Sequence, residues 1–366
     1  MYTRKKIDIY LFIAIIILVI IGIIMIYSSS NIWAEYKFND SFHYLKQQTL
    51  FVLIGIVLMI VISKTNYQLY YKKANIILGI CLLLLVLVLV PGLGSVRNGS
   101  RSWFGIGALG IQPSEAAKLG LIIFTAKYLS KNNKYLKSIT KGVLPILGIT
   151  GLYFALIMLE PDLGTALILG LTIIALLFIS GVSMKFFFIT AITGITGIIG
   201  LIAIAPYRVN RIISFINPWK DPLGTGFQII QSLYAIGPGG LLGKGFGNSI
   251  QKHFYLPEPQ TDFIFSIIVE EFGFGGAIII ISLFALIFYR SLKIALNQND
   301  LFAKYLVFGI TFQLAFQTVM NLSVVVGLIP VTGVTLPFIS YGGSSLLMSM
   351  ISMGIVLNAS KISEKS

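Results

Sequence analysis

The chain has 366 residues, 56% of them hydrophobic and 11% charged, and its 27 Lys and Arg against 13 Asp and Glu give a formal net charge of +14. A water-soluble domain carries about a quarter charged residues, whereas here apolar residues arrive in long, almost charge-free runs such as Ile9–Tyr27 and Ala74–Val90. That excludes a soluble enzyme, a disulfide scaffold, a disordered chain and a peripheral anchor; the basic excess sits in short loops, where it orients membrane spans rather than binding nucleic acid.

The first run follows Tyr2-Thr3-Arg4-Lys5-Lys6. It is too long for the core of a signal peptide and has no Ala-x-Ala site behind it, so it reads as a retained span. Ten spans are predicted, at roughly 7–27, 48–63, 74–91, 113–130, 143–160, 163–181, 185–205, 263–288, 303–327 and 339–358, each sized as a helix for a ~30 Å hydrocarbon core. An even number puts both termini on one side. Seventeen Lys and Arg fall on that side, against Lys37, Lys46, Arg97 and Arg101 in the short loops opposite, so the termini are expected to be cytoplasmic. The expected fold is thus an all-α polytopic membrane protein forming a single domain over 1–366. Cys81 lies inside an apolar run and reads as a core residue, and His43 and His253 are too far apart to suggest a metal pair. No internal repeat or pair of broken helices points to a secondary transporter.

Between the seventh and eighth spans lies a connection of 57 residues, 206–262. Loops beyond ~15 residues are usually functional or disordered, and Phe215, Trp219, Phe227, Tyr234 and Phe254 argue against disorder here. Phe227–Ile236 carries apolar residues at helical spacing between Gly226 and Gly237-Pro238-Gly239-Gly240, which predicts an amphipathic helix at the outer interface. The working surface therefore faces outward.

Eight of the acidic residues lie within spans, at their outer ends or in the long connection: Glu115, Glu160, Asp162, Asp221, Glu258, Asp262, Glu270 and Glu271. Charges at membrane depth are costly and are kept when paired or useful. Asp262, after Pro257-Glu258-Pro259, reads either as the N-cap of the eighth span or as a proton-accepting carboxylate at the membrane surface. A helix N-terminus favours the anion, whereas an apolar setting raises the pKa. Glu270 and Glu271, two turns deeper, are expected to be hydrogen-bonded or protonated and structural. Glu115 and Lys118, an i,i+3 pair, read as an ion pair between helices or as a Lys reaching a phosphate with Glu115 orienting it. Asp162 in Glu160-Pro161-Asp162 reads first as an N-cap and second as a cation or substrate contact. Outer cations that suit phosphate are Arg101, Arg208, Arg211 and Lys252, and Trp103 reads as a belt anchor or a sugar platform.

Taken together, these segments resemble the SEDS family (shape, elongation, division and sporulation), the group of FtsW, RodA and SpoVE. The resemblance rests on Arg101-Ser102-Trp103, Gln112-Pro113-Ser114-Glu115 with Lys118, Pro161-Asp162-Leu163-Gly164-Thr165, Asn217-Pro218-Trp219 and Thr261-Asp262-Phe263-Ile264-Phe265. Glu270-Glu271-Phe272-Gly273 and Leu336-Pro337-Phe338-Ile339-Ser340-Tyr341-Gly342-Gly343-Ser344-Ser345 continue it in family order. Gly247–Lys252 followed by Tyr255-Leu256-Pro257-Glu258 looks more like the division and sporulation branch than the rod-shape branch.

The resemblance implies a ten-span peptidoglycan glycosyltransferase that polymerises lipid II on the outer face of the bacterial plasma membrane beside a class B penicillin-binding protein. Asp262 matches the family's essential aspartate and is expected to act as general base on the attacking sugar hydroxyl. Arg101, Trp103, Glu115, Lys118, Arg208, Arg211 and Lys252 are expected around substrate and its undecaprenyl diphosphate leaving group. A divalent cation, Mg or Mn, is expected near Asp162, and no organic cofactor. Glu270, Glu271, Ser340, Gly342, Gly343 and Ser344 are expected to be structural. The competing reading is a lipid II flippase whose polar path runs past Lys118, Glu115 and Glu270; a bare scaffold accounts least well for charges kept in the membrane.

Overall fold

The computed structural model describes residues 7–97, 100–105, 110–136, 138–204 and 206–361. Helix α1 (Ile9–Phe38) shows why these residues form a membrane bundle. Leu11, Ile15, Leu18, Gly22, Met25 and Ser29 recur every three or four positions and are buried, while Ile9, Ile13, Ile17, Ile20 and Ile24 on the other side are exposed. A helix apolar on its packed stripe and on its open face is suited to hydrocarbon, which also requires its backbone groups to bond internally.

The chain continues through α2 (His43–Lys64), α3 (Gln68–Leu89), an antiparallel hairpin of β1 (Ser95–Arg97) and β2 (Ser100–Trp103), and α4 (Pro113–Lys131). A π-helical turn over Ile139–Val143 leads into α5 (Leu144–Leu159), followed by α6 (Leu163–Ile179) and α7 (Met184–Ala203). The long connection holds α8 (Pro206–Ile216) and α9 (Phe227–Ile236), and the chain closes with α10 (Ile264–Leu296), α11 (Leu301–Val325) and α12 (Gly343–Ala359). Among the described residues six helical stretches are long and apolar enough to cross a membrane: α1, α2, α3, Ile139–Leu159, α10 and α11. Helices α6 and α12 and the Met184–Gly197 part of α7 are apolar but shorter. Helix α4, also at a predicted span, carries the charges of Glu115 and Lys118.

Several boundaries differ from expectation: α2 begins five residues and α3 six residues ahead of the predicted spans, at His43 and Gln68, and α10 runs eight residues past 288 to Leu296. Helix α1 runs on to Phe38, and α12 starts at Gly343, not near 339. Phe338–Tyr341 instead folds non-helically: Ser340 Oγ accepts from Leu336 N at 2.9 Å and donates to Thr261 O at 2.6 Å. In the bundle α12 lies along α2, α3 along α4 and α1 along α10, with α11 against α4, α6 and α10.

Helix α10 is broken at Gly273 (φ 63°, ψ −160°). The backbone groups freed there are taken up by the long connection. Phe274 N donates to Gly240 O at 2.9 Å and Gly275 N to Leu241 O at 3.1 Å, while Lys244 N and Gly245 N donate to Glu270 O and Glu271 O, both at 2.9 Å. The kink has an identifiable cause, and the amides of Phe274 and Gly275 past the break are both paired. A Cβ on Gly273 would lie 2.5 Å from Gly243 N and would sit in the left-handed region besides. Gly273→Ala is therefore expected to cost about 1–3 kcal/mol or more, seen as a lower melting temperature in detergent; an unchanged value would mean the interlock carries no strain.

Candidate functional site

Asp262 stands where the long connection enters α10. It does not cap that helix: the N-cap is Phe263, with no side-chain cap bond. The cap reading fails because the chain around Asp262 is pinned by backbone contacts instead. Asn321 Nδ2 donates to Asp262 O at 2.7 Å and to Val334 O at 2.8 Å. On one side Ser340 Oγ holds Thr261 O, and Tyr341 N donates to Gln260 O at 2.8 Å. The half-buried carboxylate itself accepts no hydrogen bond among the described residues. Burial pushes its pKa up to about 7, with the charges of Glu258 and Asp162 adding to the rise and Arg211 opposing it. Of the two opposed influences on this group, the desolvating one wins, and the result is a proton acceptor poised near neutrality.

Asp162 is the N-cap of α6: Oδ1 accepts from Thr165 N at 2.9 Å, and Oδ2 accepts from Gln112 Nε2 at 3.2 Å. Burial raises its pKa and the Thr165 hydrogen bonds resist the rise. Both Lys118 and Glu115 bear on it electrostatically, so Asp262, Asp162, Glu258, Arg211 and the Glu115–Lys118 pair form one electrostatic neighbourhood.

Lys118 itself is covered. Its Nζ lies 2.9 Å from Glu115 Oε1 and 3.0 Å from Gln317 Oε1, and the side chain is 1% exposed. Gln317 Nε2 passes the contact on to Thr335 O at 3.1 Å and Ser345 Oγ at 3.3 Å. This is the geometry of an ion pair joining α4, α11 and the 334–345 segment, not of a lysine reaching a ligand.

Lys252 departs from expectation more clearly. Its ammonium is buried, donating to Gly247 O at 2.6 Å and lying 3.6 Å from Glu271. Glu271 also accepts from Ser28 Oγ of α1 at 2.6 and 2.7 Å. Glu270 accepts from Lys244 Nζ at 2.8 Å, Ser249 Oγ at 2.5 Å and Ile250 N at 2.9 Å. A loop cation that reads as suited to a phosphate is thus half of the anchor between the long connection and α10.

Arg101 and Trp103 sit half-buried on β2, whose Ser100 and Ser102 hydroxyls bond the carbonyl of Glu160. Arg211 is exposed on α8 and donates through Nη1 to Val331 O at 3.2 Å. The side chain of Arg208 lies outside the described residues. Gly342 is the N-cap of α12, Gly343 lies against the Phe51 ring, and Ser344 Oγ bridges Gly110 O and Gln112 N at 3.0 Å each.

Two features carried no role in the sequence reading. Gln313, Gln317 and Asn321 recur every fourth residue of α11, and amides at helical spacing inside an apolar span were the available signal. Glu160 is 0% exposed, and among the described residues neither carboxylate oxygen has a hydrogen-bond partner, which favours its neutral form.

No cluster of three or more His, Cys, Asp or Glu side chains suited to a metal ion occurs among the described residues, and both Asp162 oxygens are already engaged. The described residues do not make a protein-built cation site. Magnesium held by one or two carboxylates and a substrate's phosphates is a different arrangement and needs no such cluster.

A family model, FTSW_RODA_SPOVE, described as cell cycle protein, matches residues 8–365. Stage V sporulation protein E of Bacillus subtilis is 50% identical over 363 residues, 99% of either chain. A probable peptidoglycan glycosyltransferase FtsW of Trichlorobacter lovleyi is 40% identical over 359 residues, 98% of this chain and 94% of its own. Among solved structures, the rod shape determining protein RodA of Thermus thermophilus superposes with a TM-score of 0.73 at 29% identity, covering 98% of both chains. A chain from a structure described as coordinating polymerization and crosslinking in a peptidoglycan synthase complex gives 0.80 at 30% identity, covering 97% of both.

Proposed function

The chain belongs to the FtsW/RodA/SpoVE family of cell cycle proteins, and from that premise we propose that it is a peptidoglycan glycosyltransferase joining lipid II into glycan strands. It is a multi-pass protein of the bacterial cell membrane, and its relatives bear sporulation and division names. The observation that carries the mechanism is the Asp262 carboxylate: held by its backbone, unbonded among the described residues, half-buried and poised near neutrality. In the proposed step a lipid II sugar hydroxyl gives its proton to Asp262 as the oxygen attacks the anomeric carbon of the growing strand. The bond from that carbon to undecaprenyl diphosphate breaks, and the leaving group takes the electron pair. Arg211, exposed and close enough to depress the Asp262 pKa, is the first candidate to meet the diphosphate charge, with Arg101 and Arg208 second.

The finer architecture belongs to the same proposal: ten spans, cytoplasmic termini and an extracellular 206–262 connection. It is supported by the meeting of three helix ends, since Asp8 at the start of α1 pairs with Arg290 near the end of α10 and its N–H reaches Ser360 after α12. A class B penicillin-binding protein is the proposed partner, and a substrate-borne divalent cation the proposed helper.

The test is strand synthesis from fluorescent lipid II by the full chain with its class B partner in proteoliposomes. Glycan ladders are expected; lipid II changing leaflet with no ladder would favour the flippase. Chelation by EDTA is expected to slow synthesis, with recovery on adding Mg or Mn and no change in melting temperature. Synthesis indifferent to EDTA would remove the cation from the reading.

A further inference from the structure

We propose that the end of the bundle where α1 begins and α10 and α12 finish binds the phosphate of an anionic phospholipid. A cavity of about 330 Å³ opens there, bounded among others by Asp8, Tyr10, Arg290, Lys293, Asn297 and Ser360. Arg290 is fixed in place. Its Nη2 and Nε lie 2.6 and 2.9 Å from Asp8 Oδ2, and the guanidinium sits 5.2 Å from the Tyr10 ring centroid. Nη1 is left with no hydrogen-bond partner among the described residues.

Arg290, Lys293 and Asn297 follow one another at spacings of three and four, so they share one face of α10. Lys293 and Asn297 are exposed, and the side chain of neither has a partner among the described residues. A lone lysine in a last turn needs no explanation beyond the helix dipole. Here the lysine is accompanied by an immobilised guanidinium, an amide and a cavity, and the one carboxylate lining it among the described residues, Asp8, is already consumed by Arg290. The row offers donors and net positive charge, which suits a phosphate oxygen cluster.

The apolar wall argues for a lipid-borne phosphate over a free one. Ile9 is 55% and Tyr10 63% exposed at the same end of α1, placing acyl-compatible surface beside the donors. Basic pockets between spans on the cytoplasmic side are suited to anionic headgroups.

The experiment is native mass spectrometry of the full chain released from micelles containing equal phosphatidylglycerol and phosphatidylcholine, with inorganic phosphate as a separate arm. Preferential retention of phosphatidylglycerol is expected, weakened about five-fold by Lys293→Ala, which removes one interfacial cation. Among the described residues Lys293 has no partner to lose, so folding is not at issue. Arg290→Lys, which keeps the charge and loses the planar fork, is expected to weaken retention too. Equal retention of both lipids, or retention untouched by Lys293→Ala, would overturn the site. Inorganic phosphate displacing phosphatidylglycerol at millimolar concentration would overturn the lipid assignment in favour of a free anion. Binding is expected to be the same in Asp262→Asn protein, so the outcome is independent of the polymerase reading.

Discussion

Asp262→Asn is expected to lower lipid II polymerisation by about 10²–10⁴-fold, the usual contribution of a general base, while leaving the protein folded. The amide keeps the shape of the carboxylate and takes away its ability to accept a proton. The locks that hold position 262 act on backbone atoms, namely Asn321 on the Asp262 carbonyl, Ser340 on Thr261 and Tyr341 on Gln260, so the substitution leaves them in place. Since burial sets the Asp262 pKa at about 7, the wild-type rate is expected to climb through that pH as the base ionises, and the residual rate of the variant to be flat there.

Stability should run the other way. The native state holds this proton more tightly than the unfolded chain does, where Asp titrates near 3.9. Ionising Asp262 therefore costs stability progressively as pH rises from about 4 to about 7, a cost the Asn variant escapes. Gel-resolved strand synthesis and melting curves across that range check both statements. Near wild-type synthesis by the variant would remove Asp262 from the mechanism.

Glu271→Ala is expected to be the most damaging change outside the reacting groups. It strips the acceptor from Ser28 Oγ and leaves the Lys252 ammonium, 2% exposed, facing Glu271 no longer. Breaking a buried pair in this way costs about 3–5 kcal/mol, and the loss should fall on the docking of 244–252 against α10. The expected signs are a lower melting temperature, proteolysis within that segment and lost synthesis although Asp262 is untouched. Lys252→Met added to Glu271→Ala should recover part of the stability, because the stranded charge goes with it. A double variant as unstable as the single one would show that the hydrogen bonds, not the charge pair, hold the loop.

What was legible in the chain was whatever depends on local pattern. Long apolar runs become helices because hydrocarbon leaves the backbone no other partner, and α9 occupies Phe227–Ile236, where Gly226 and Gly237 bracket a helical spacing. Asp162 as a cap was readable from Pro161-Asp162 ahead of an apolar run. What was not legible depends on partners far along the chain. Ser28 meets Glu271, Asn321 meets Asp262, and Ser340 draws Phe338–Tyr341 away from α12. Lys252 was misread for the same reason, since a lysine in a polar loop gives no sign that a glutamate 19 residues later will bury it.

Gly273 leaves α10 as two rods in series. The end of the upper one accepts main-chain hydrogen bonds from Lys244 and Gly245, the start of the lower one donates to Gly240 and Leu241, and Asp262 is mounted at the head of the upper rod. Residues 240–245 therefore act as a splint that crosses the joint and grips both rods. Bending at Gly273 would strain main-chain bonds on either side of it, so the splint keeps the aim of the reactive oxygen tied to the whole of α10.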